Sequence, residues 1–257
     1  MIDPREGIAP DGTIVTGADR SRIPALFEPL VAAAVEDLSS PAEASVYLYG
    51  SVATGQAQPG RSDVDLLAFG WDRQDARAVA TRLVEGFPGV CRGVEIAVAG
   101  ADDLVGESDE AYGLRAFLRH YWVHLCGADL GDGLPAVRAD AHAARGFNGD
   151  IARHGRRWRA ALDGGSEARA LGRRIARKTL LAVAGLVSVH DGVWTTDRGT
   201  GARRWGTLHP ELAGDLTTLL AWSDGVDLPD ARAVERALDG VVHQVTSAFE
   251  TEIGLWA

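Results

Sequence analysis

Two aspartates, Asp63 and Asp65, stand two places apart in the otherwise apolar run DVDLLAF. Val64, Leu66 and Leu67 make this run a strand bound for a core. Strand side chains alternate, so positions 63 and 65 project from one face. Two carboxylates side by side repel each other and lose hydration, and a bare pair is costly. A divalent cation reverses the sign of that cost. Mg²⁺ takes a few carboxylates together with phosphate oxygens and retained waters. The bland alternative is a solvated pair on a sheet edge.

The flanking sequence favours the metal. A hydrophobic strand over 44–49 runs into Gly50 and Ser51, twelve residues ahead of Asp63. The glycine allows close backbone approach to a ligand. Turn amides at the start of a short helix can receive phosphate, and the Ser51 hydroxyl adds a donor. Glu95 is a lone acid in a third apolar strand, VEIAV at 94–98. Beside the aspartate strand it could ligate a metal or take a proton from an attacking hydroxyl. Its alternative is an ordinary solvated strand glutamate.

Periodicity places helices over 22–38 and 73–87, and leaves 112–126 ambiguous, helical at first and then extended. A junction is expected at 127–135. Beyond it, helices are expected at about 138–162, 167–190, 197–205, 209–222 and 230–253, with almost no strand signal. The expectation is an α+β chain with an N-terminal domain over 1–134 and an all-α helical domain over 135–257. No uncharged apolar run is long enough to span a bilayer. The N-terminus MIDPREG lacks a signal-peptide core, and two cysteines, Cys91 and Cys126, suit buried thiols in a reducing cytoplasm. The 36 acidic against 26 basic residues give a formal charge of −10, which opposes a nucleic-acid partner and favours a cationic one.

At 46–70 and 92–104 the sequence resembles the nucleotidyltransferase superfamily with the DNA polymerase β-like palm. The Gly–Ser, the spaced D-x-D and a third acid on a neighbouring strand carry the likeness. Within that superfamily it is most similar to bacterial aminoglycoside adenylyltransferases that modify streptomycin and spectinomycin. The stretch YLYGS…SDVDLL and the Arg92-x-x-Glu95 context with Asp102 and Asp103 beyond it are the resembling residues. The resemblance implies a palm-like mixed sheet flanked by helices, followed by a helical bundle. It implies Mg²⁺, two ions in such sites, held by Asp63 and Asp65 with Glu95 at the metal site as the base. Ser51 and Ser62 would contact the phosphates of ATP, and Gly50 would shape that turn. Arg198 is the nearest match to a basic residue on the triphosphate, although DRGTGARRW carries two extra residues there. Trp158 and Asp163 have the spacing of an aromatic–acid pair that holds the aminoglycoside. The segment over 100–114 is short and lacks a tryptophan, which departs from the family's acceptor pocket. The implied product chemistry is AMP transfer to a hydroxyl of a small, cationic acceptor with release of pyrophosphate.

Lys178 is the only lysine in the chain. With Arg169, Arg173, Arg174 and Arg177 it lies on one predicted helix. Arg177 or Lys178 could meet the triphosphate, against a solvated basic face as the alternative. His120 and His124 have a helical zinc spacing but no third ligand, so core or surface histidines are favoured. Trp194, Trp205 and Trp222 read as core residues in helical segments. Rival functions are a protein-directed adenylyltransferase, an antitoxin using the same palm, and a noncatalytic nucleotide-binding regulator. The long C-terminal half argues against the first two, and the intact acids against the third.

Overall fold

The computed structural model describes residues 3–257. A short antiparallel ribbon, β1 (Gly7–Ile8) and β2 (Ile14–Val15), precedes α1 (Glu28–Leu38). There follow β3 (Ser45–Tyr49), the single-turn α2 (Gly50–Ala53), β4 (Asp63–Phe69), α3 (Arg73–Gly86), β5 (Gly93–Ala99), α4 (Asp109–His120) and β6 (Val123–Cys126). The strands form a mixed sheet in the order β5-β4-β3-β6, with β4 and β5 parallel and the other pairs antiparallel. Parallel pairing needs a long crossover, and α3 supplies it. The remainder is helical: α5 (Ala141–Asn148), α6 (Ile151–Asp163), α7 (Ala168–Asp191), α8 (Arg198–Leu208), α9 (Ala213–Asp224), α10 (Ala231–Ala237) and α11 (His243–Glu252). Among the described residues, no helix is long and apolar enough to cross a membrane.

Local chemistry explains where the elements depart from the periodicity. The helix expected from 22 starts only at Glu28, because Pro29 lacks an amide hydrogen and fits just the first turn. The single helix expected over 138–162 is two. The helix stops at Gly149, and the Trp256 ring lies against it, where a Cβ would come within 2.3 Å of the indole. The last helix is broken by a wide turn at Leu238–Val242, with Gly240 outside helical dihedrals. The ambiguous 112–126 resolves into α4 and β6. Trp194 lies in the α7–α8 connection rather than in a helix, and it is buried.

Alternation along the strands sorts the cores. Val46 and Leu48 of β3 and Val64 and Leu66 of β4 bury themselves under Leu30 and Val31 of α1 and Val79 and Leu83 of α3. Tyr47, Leu67 and Phe69 face the other way and pack with Leu118 of α4. Asp63 and Asp65 share this second face, beyond the part that α4 covers. A third core gathers around α7, whose Leu171, Ile175, Leu180, Val183 and Leu186 are buried. The join between sheet and helices is tight. A Cβ on Gly113 of α4 would lie 2.2 Å from the Gly146 carbonyl oxygen of α5.

His120 ends α4 and accepts a hydrogen bond at Nε2 from the Val137 amide at 2.8 Å, fixing the segment that enters the helical half. Burial, and then the Arg119 charge, lowers its pKa to about 4. A histidine held neutral in the fold but basic when unfolded stabilises fully above pH 6.5 and loses that contribution as pH falls toward 4. Thermal unfolding of the wild type should therefore show a stability decline across that window. His120→Gln, which keeps an acceptor, should flatten it. A Gly113→Val variant should lose about 1–3 kcal/mol by overpacking, read from the same melts.

Candidate active site

β3 carries the chain through Tyr49 into α2, and Gly50 makes the bend at φ +74°. A Cβ there would stand 2.5 Å from Asp65 Oδ2. The position is thus closed to side chains by both backbone conformation and the neighbouring carboxylate. Parallel pairing sets Asp65 opposite Glu95 and Asp63 opposite Gly93. Antiparallel pairing sets Tyr49 opposite Asp65. Asp65 is therefore bracketed by a phenol and a second carboxylate on adjacent strands.

The electrostatics follow from that register. Burial pushes the Asp65 carboxyl up to about 7; the charges of Glu95 and then Asp63 add to the rise, and Arg177 and Arg92 oppose it. Burial, then Asp65 and Glu95, also raise the Tyr49 phenol strongly, so it stays protonated. Asp63 is bound on both oxygens by Arg92: Nε donates to Oδ1 at 3.0 Å and Nη2 donates to Oδ2. Ser62 is buried beside them, and its Oγ accepts from the Gln58 amide at 2.9 Å, which orders the turn before β4.

Ser62, Asp63, Asp65 and Arg92 line one cavity of about 850 Å³ together with Gly50, Ser51 and Glu95. Its opposite wall comes from the helical half: Arg177 of α7, Arg198 at the start of α8, and Asp224 at the end of α9. Burial, and then the nearby Arg177 charge, lowers the Arg198 pKa. Among the described residues, the Arg177 side chain makes only a long bond from Nε to the Ser223 carbonyl at 3.5 Å. Two guanidinium groups thus look across the cleft at the strand-borne acids.

The structure does not bring every expected site residue here. Lys178 points away from the cleft, pairing with Asp150 at 2.6 Å and donating to the Phe147 carbonyl at 3.1 Å. Neighbours on a helix differ by about 100° in direction, and of the two only Arg177 reaches the cleft. Trp158 is buried against the His154 ring and borders a different cavity. Asp163 is exposed at the end of α6. His120 and His124 lie on α4 and β6, so helical spacing does not relate them. Glu6 belongs to no motif of the sequence, yet it accepts from Tyr121 Oη at 2.8 Å and from Thr196 N and Oγ1 at 2.7 Å. Glu6 lines the cleft and ties the N-terminal segment to both halves. Partners so distant in sequence leave no local signal. Arg92 and Asp224 were also unassigned; only the position of Arg92, three residues before Glu95, hinted at its place.

The donor set can be tested for a metal. Among the described residues, no three His, Cys, Asp or Glu side chains stand as a ready ligand cluster. Asp63 is turned onto Arg92, which leaves Asp65 and Glu95 as the acids without an ion-pair partner among the described residues. Mg²⁺ needs only one or two protein carboxylates when phosphate oxygens complete its shell. A carboxyl driven up by burial and then by its neighbours' charge is what such a cation would relieve, so the residues fit it.

Residues 30–106 match the nucleotidyltransferase domain family, a span that contains Gly50, Ser51, Asp63, Asp65 and Glu95. The chain carries a nucleotidyltransferase domain and is a transferase. The fold of nearly the whole chain is similar to a crystal structure of spectinomycin adenyltransferase AAD(9) from Enterococcus faecialis with ATP and spectinomycin. The TM-score is 0.58 at 9% identity, covering 87% of this chain and 99% of that chain. At such identity the likeness is one of fold. No curated protein matches the chain by sequence.

The bend that opens the nucleotidyltransferase domain's site is testable by itself. Gly50→Ala should cost about 1–2 kcal/mol from the left-handed conformation alone, with more from the clash at Asp65. Adding Asp65→Ser should recover the clash component, which a double-mutant cycle of thermal melts will separate.

Proposed function

We propose that this protein transfers AMP from ATP to a hydroxyl of a small molecule in a Mg²⁺-dependent reaction that releases pyrophosphate. One observation carries the reading. Asp63, Asp65 and Glu95 stand in register on paired strands beside the Gly50 bend, facing a cleft walled by Arg177 and Arg198. Three strand-borne acids facing two helix-borne arginines suit a metal-bound triphosphate better than either charge alone.

Asp63 and Asp65 would hold Mg²⁺, which when bound neutralises phosphate charge and lowers the pKa of a nearby hydroxyl. Arg177 and Arg198 bind the triphosphate and offset charge on the departing pyrophosphate. Both rise from helices α7 and α8, which pack in the helical core. Ser51 and the amides of the bend hydrogen-bond phosphate oxygens, while Ser62 holds the turn that presents Asp63. Glu95 accepts the acceptor's hydroxyl proton as its oxygen bonds to the α-phosphorus and the bond to the β-phosphate oxygen breaks. Were Asp63 to hold the ion, it would leave Arg92, whose guanidinium would then be free for phosphate. The other transferase readings, protein-directed transfer among them, have no observation in their favour here.

The test is α-labelled ATP with Mg²⁺ against a panel of hydroxylated small molecules and protein extracts, following label transfer and pyrophosphate. The panel starts with spectinomycin and streptomycin, since the similar crystal structure holds spectinomycin. Asp65→Asn is expected to abolish turnover. Glu95→Gln should spare the ATP KM and lower kcat by about 10²–10⁴. Undiminished turnover in Asp65→Asn would sink the reading, and label appearing only on protein would replace the acceptor class.

A further inference from the structure

The ribbon of β1 and β2 is fastened to the entry of the helical half. The Ile14 amide donates to the Val137 carbonyl at 2.9 Å, and the Ala139 amide donates to the Gly12 carbonyl at 3.0 Å. The Ile14 side chain is buried in the helical core. This anchorage delivers Glu6, one residue ahead of β1, to the wall of the nucleotide cleft. A carboxylate there repels a triphosphate, so phosphate binding does not account for it. Its bonds point to another use. Glu6 Oε2 accepts from the Thr196 amide and Oε1 from the Thr196 hydroxyl, both at 2.7 Å, and Oε1 also accepts from the Tyr121 hydroxyl at 2.8 Å. Tyr121 Oη accepts in turn from Trp194 Nε1 at 2.6 Å. Burial raises the Glu6 pKa, and the bonds from Thr196 and Tyr121 oppose that rise.

Thr196 stands two residues before Arg198. Between them Asp197 caps α8 and accepts from the Thr200 amide at 2.7 Å. Arg198 itself has no hydrogen bond or ion pair among the described residues. Its guanidinium is therefore aimed by the backbone from which it rises. Within the helical half, the Thr195 amide bonds Ser188 Oγ at 3.0 Å. Glu6 adds a tie from outside that half, and it reaches the end of α4 through Tyr121. Bonds to an ionised acceptor are the strong ones, and two of them fix the residue that leads into the α8 cap. Resting on the transfer reading above, we infer that Glu6 is a positioning residue of the reaction: it holds the start of α8 so that Arg198 meets the triphosphate across the cleft. Glu6 acts through Arg198 and not on the phosphates. Misplacing a binding group by about 1 Å can cost about 10²-fold in rate, so such a hold has a measurable effect.

The experiment is calorimetric titration of α,β-methylene-ATP with Mg²⁺ into the full chain and three variants: Glu6→Gln, Arg198→Ala and the two combined. Glutamine keeps one acceptor but sets an amide group against a donor, which breaks the two-oxygen grip on Thr196. Arg198→Ala is expected to weaken binding roughly tenfold and Glu6→Gln about fivefold. The combined variant should bind no more weakly than Arg198→Ala alone, because the two residues act as one unit. Thermal melts confirm that each variant is folded at the titration temperature. If Glu6→Gln is not, Thr196→Val takes its place in the cycle; it removes one donor, leaves the carboxylate, and should cost about twofold only where Arg198 is present. Unchanged binding in the Glu6 or Thr196 variant, or a loss of equal size with and without Arg198, overturns the proposal, since general support of the fold has that second signature. A wild-type chain that fails to bind the analogue overturns the nucleotide reading itself, and the positioning role with it.

Discussion

The pairing of β4 with β5 places the Asp65 carboxylate against that of Glu95, with Asp63 two residues away on the same face. Such an arrangement opposes folding unless the charge is withheld or answered. The Asp65 carboxyl answers by holding its proton up to about pH 7, Asp63 by binding Arg92 on both oxygens. The remaining features of the site serve this one conflict. Gly50 gives way because the carboxylate occupies the space where a Cβ would stand. Tyr49 closes the other flank and stays protonated under the same field.

The sheet can hold this conflict because its apolar faces leave no other freedom. Val64 and Leu66 are locked beneath α1 and α3, and Leu67 and Phe69 beneath α4. A slip of one residue would bury the aspartates in the α1–α3 core and expose the leucines. Register is therefore held by burial at the far end of the strand, and the acids at the near end inherit it. Strain tolerated at a site and compensated in the core is the pattern expected of functional positions.

Charge is divided unevenly between the two halves. The sheet contributes Asp63, Asp65 and Glu95 to the cleft with Arg92 beside them, and the helices contribute Arg177 and Arg198 with Asp224. Helix α7 is central to this division. Its apolar face builds the largest core, while its polar residues address different spaces: Arg177 the cleft, Lys178 the Asp150 carboxylate, and Arg174 the cavity that Trp158 borders. Glu6 ties the N-terminal segment to the α4–β6 turn and the α7–α8 connection through Tyr121 and Thr196. The acids and arginines of the cleft are thus held in facing positions by contacts outside the cleft as well as by the cores.

The alternating DVDLLAF strand, its partner acid in VEIAV and the glycine bend were legible in the chain, because period-two patterning and turn chemistry are local. So were most of the C-terminal helices, whose apolar faces repeat within a few residues; their breaks at Gly149 and Gly240 and the late start at Pro29 needed the surrounding packing. Local pattern could nominate Glu95 but not pair it with Asp65, since strand order is settled by which faces bury together. It could not separate Arg177 from Lys178 either, because helix phase becomes absolute only once the buried face of α7 is docked. The Arg92 pair and the Glu6 ties arise between segments far apart in sequence. Those belong to tertiary structure alone, where distance through the chain no longer measures distance through space.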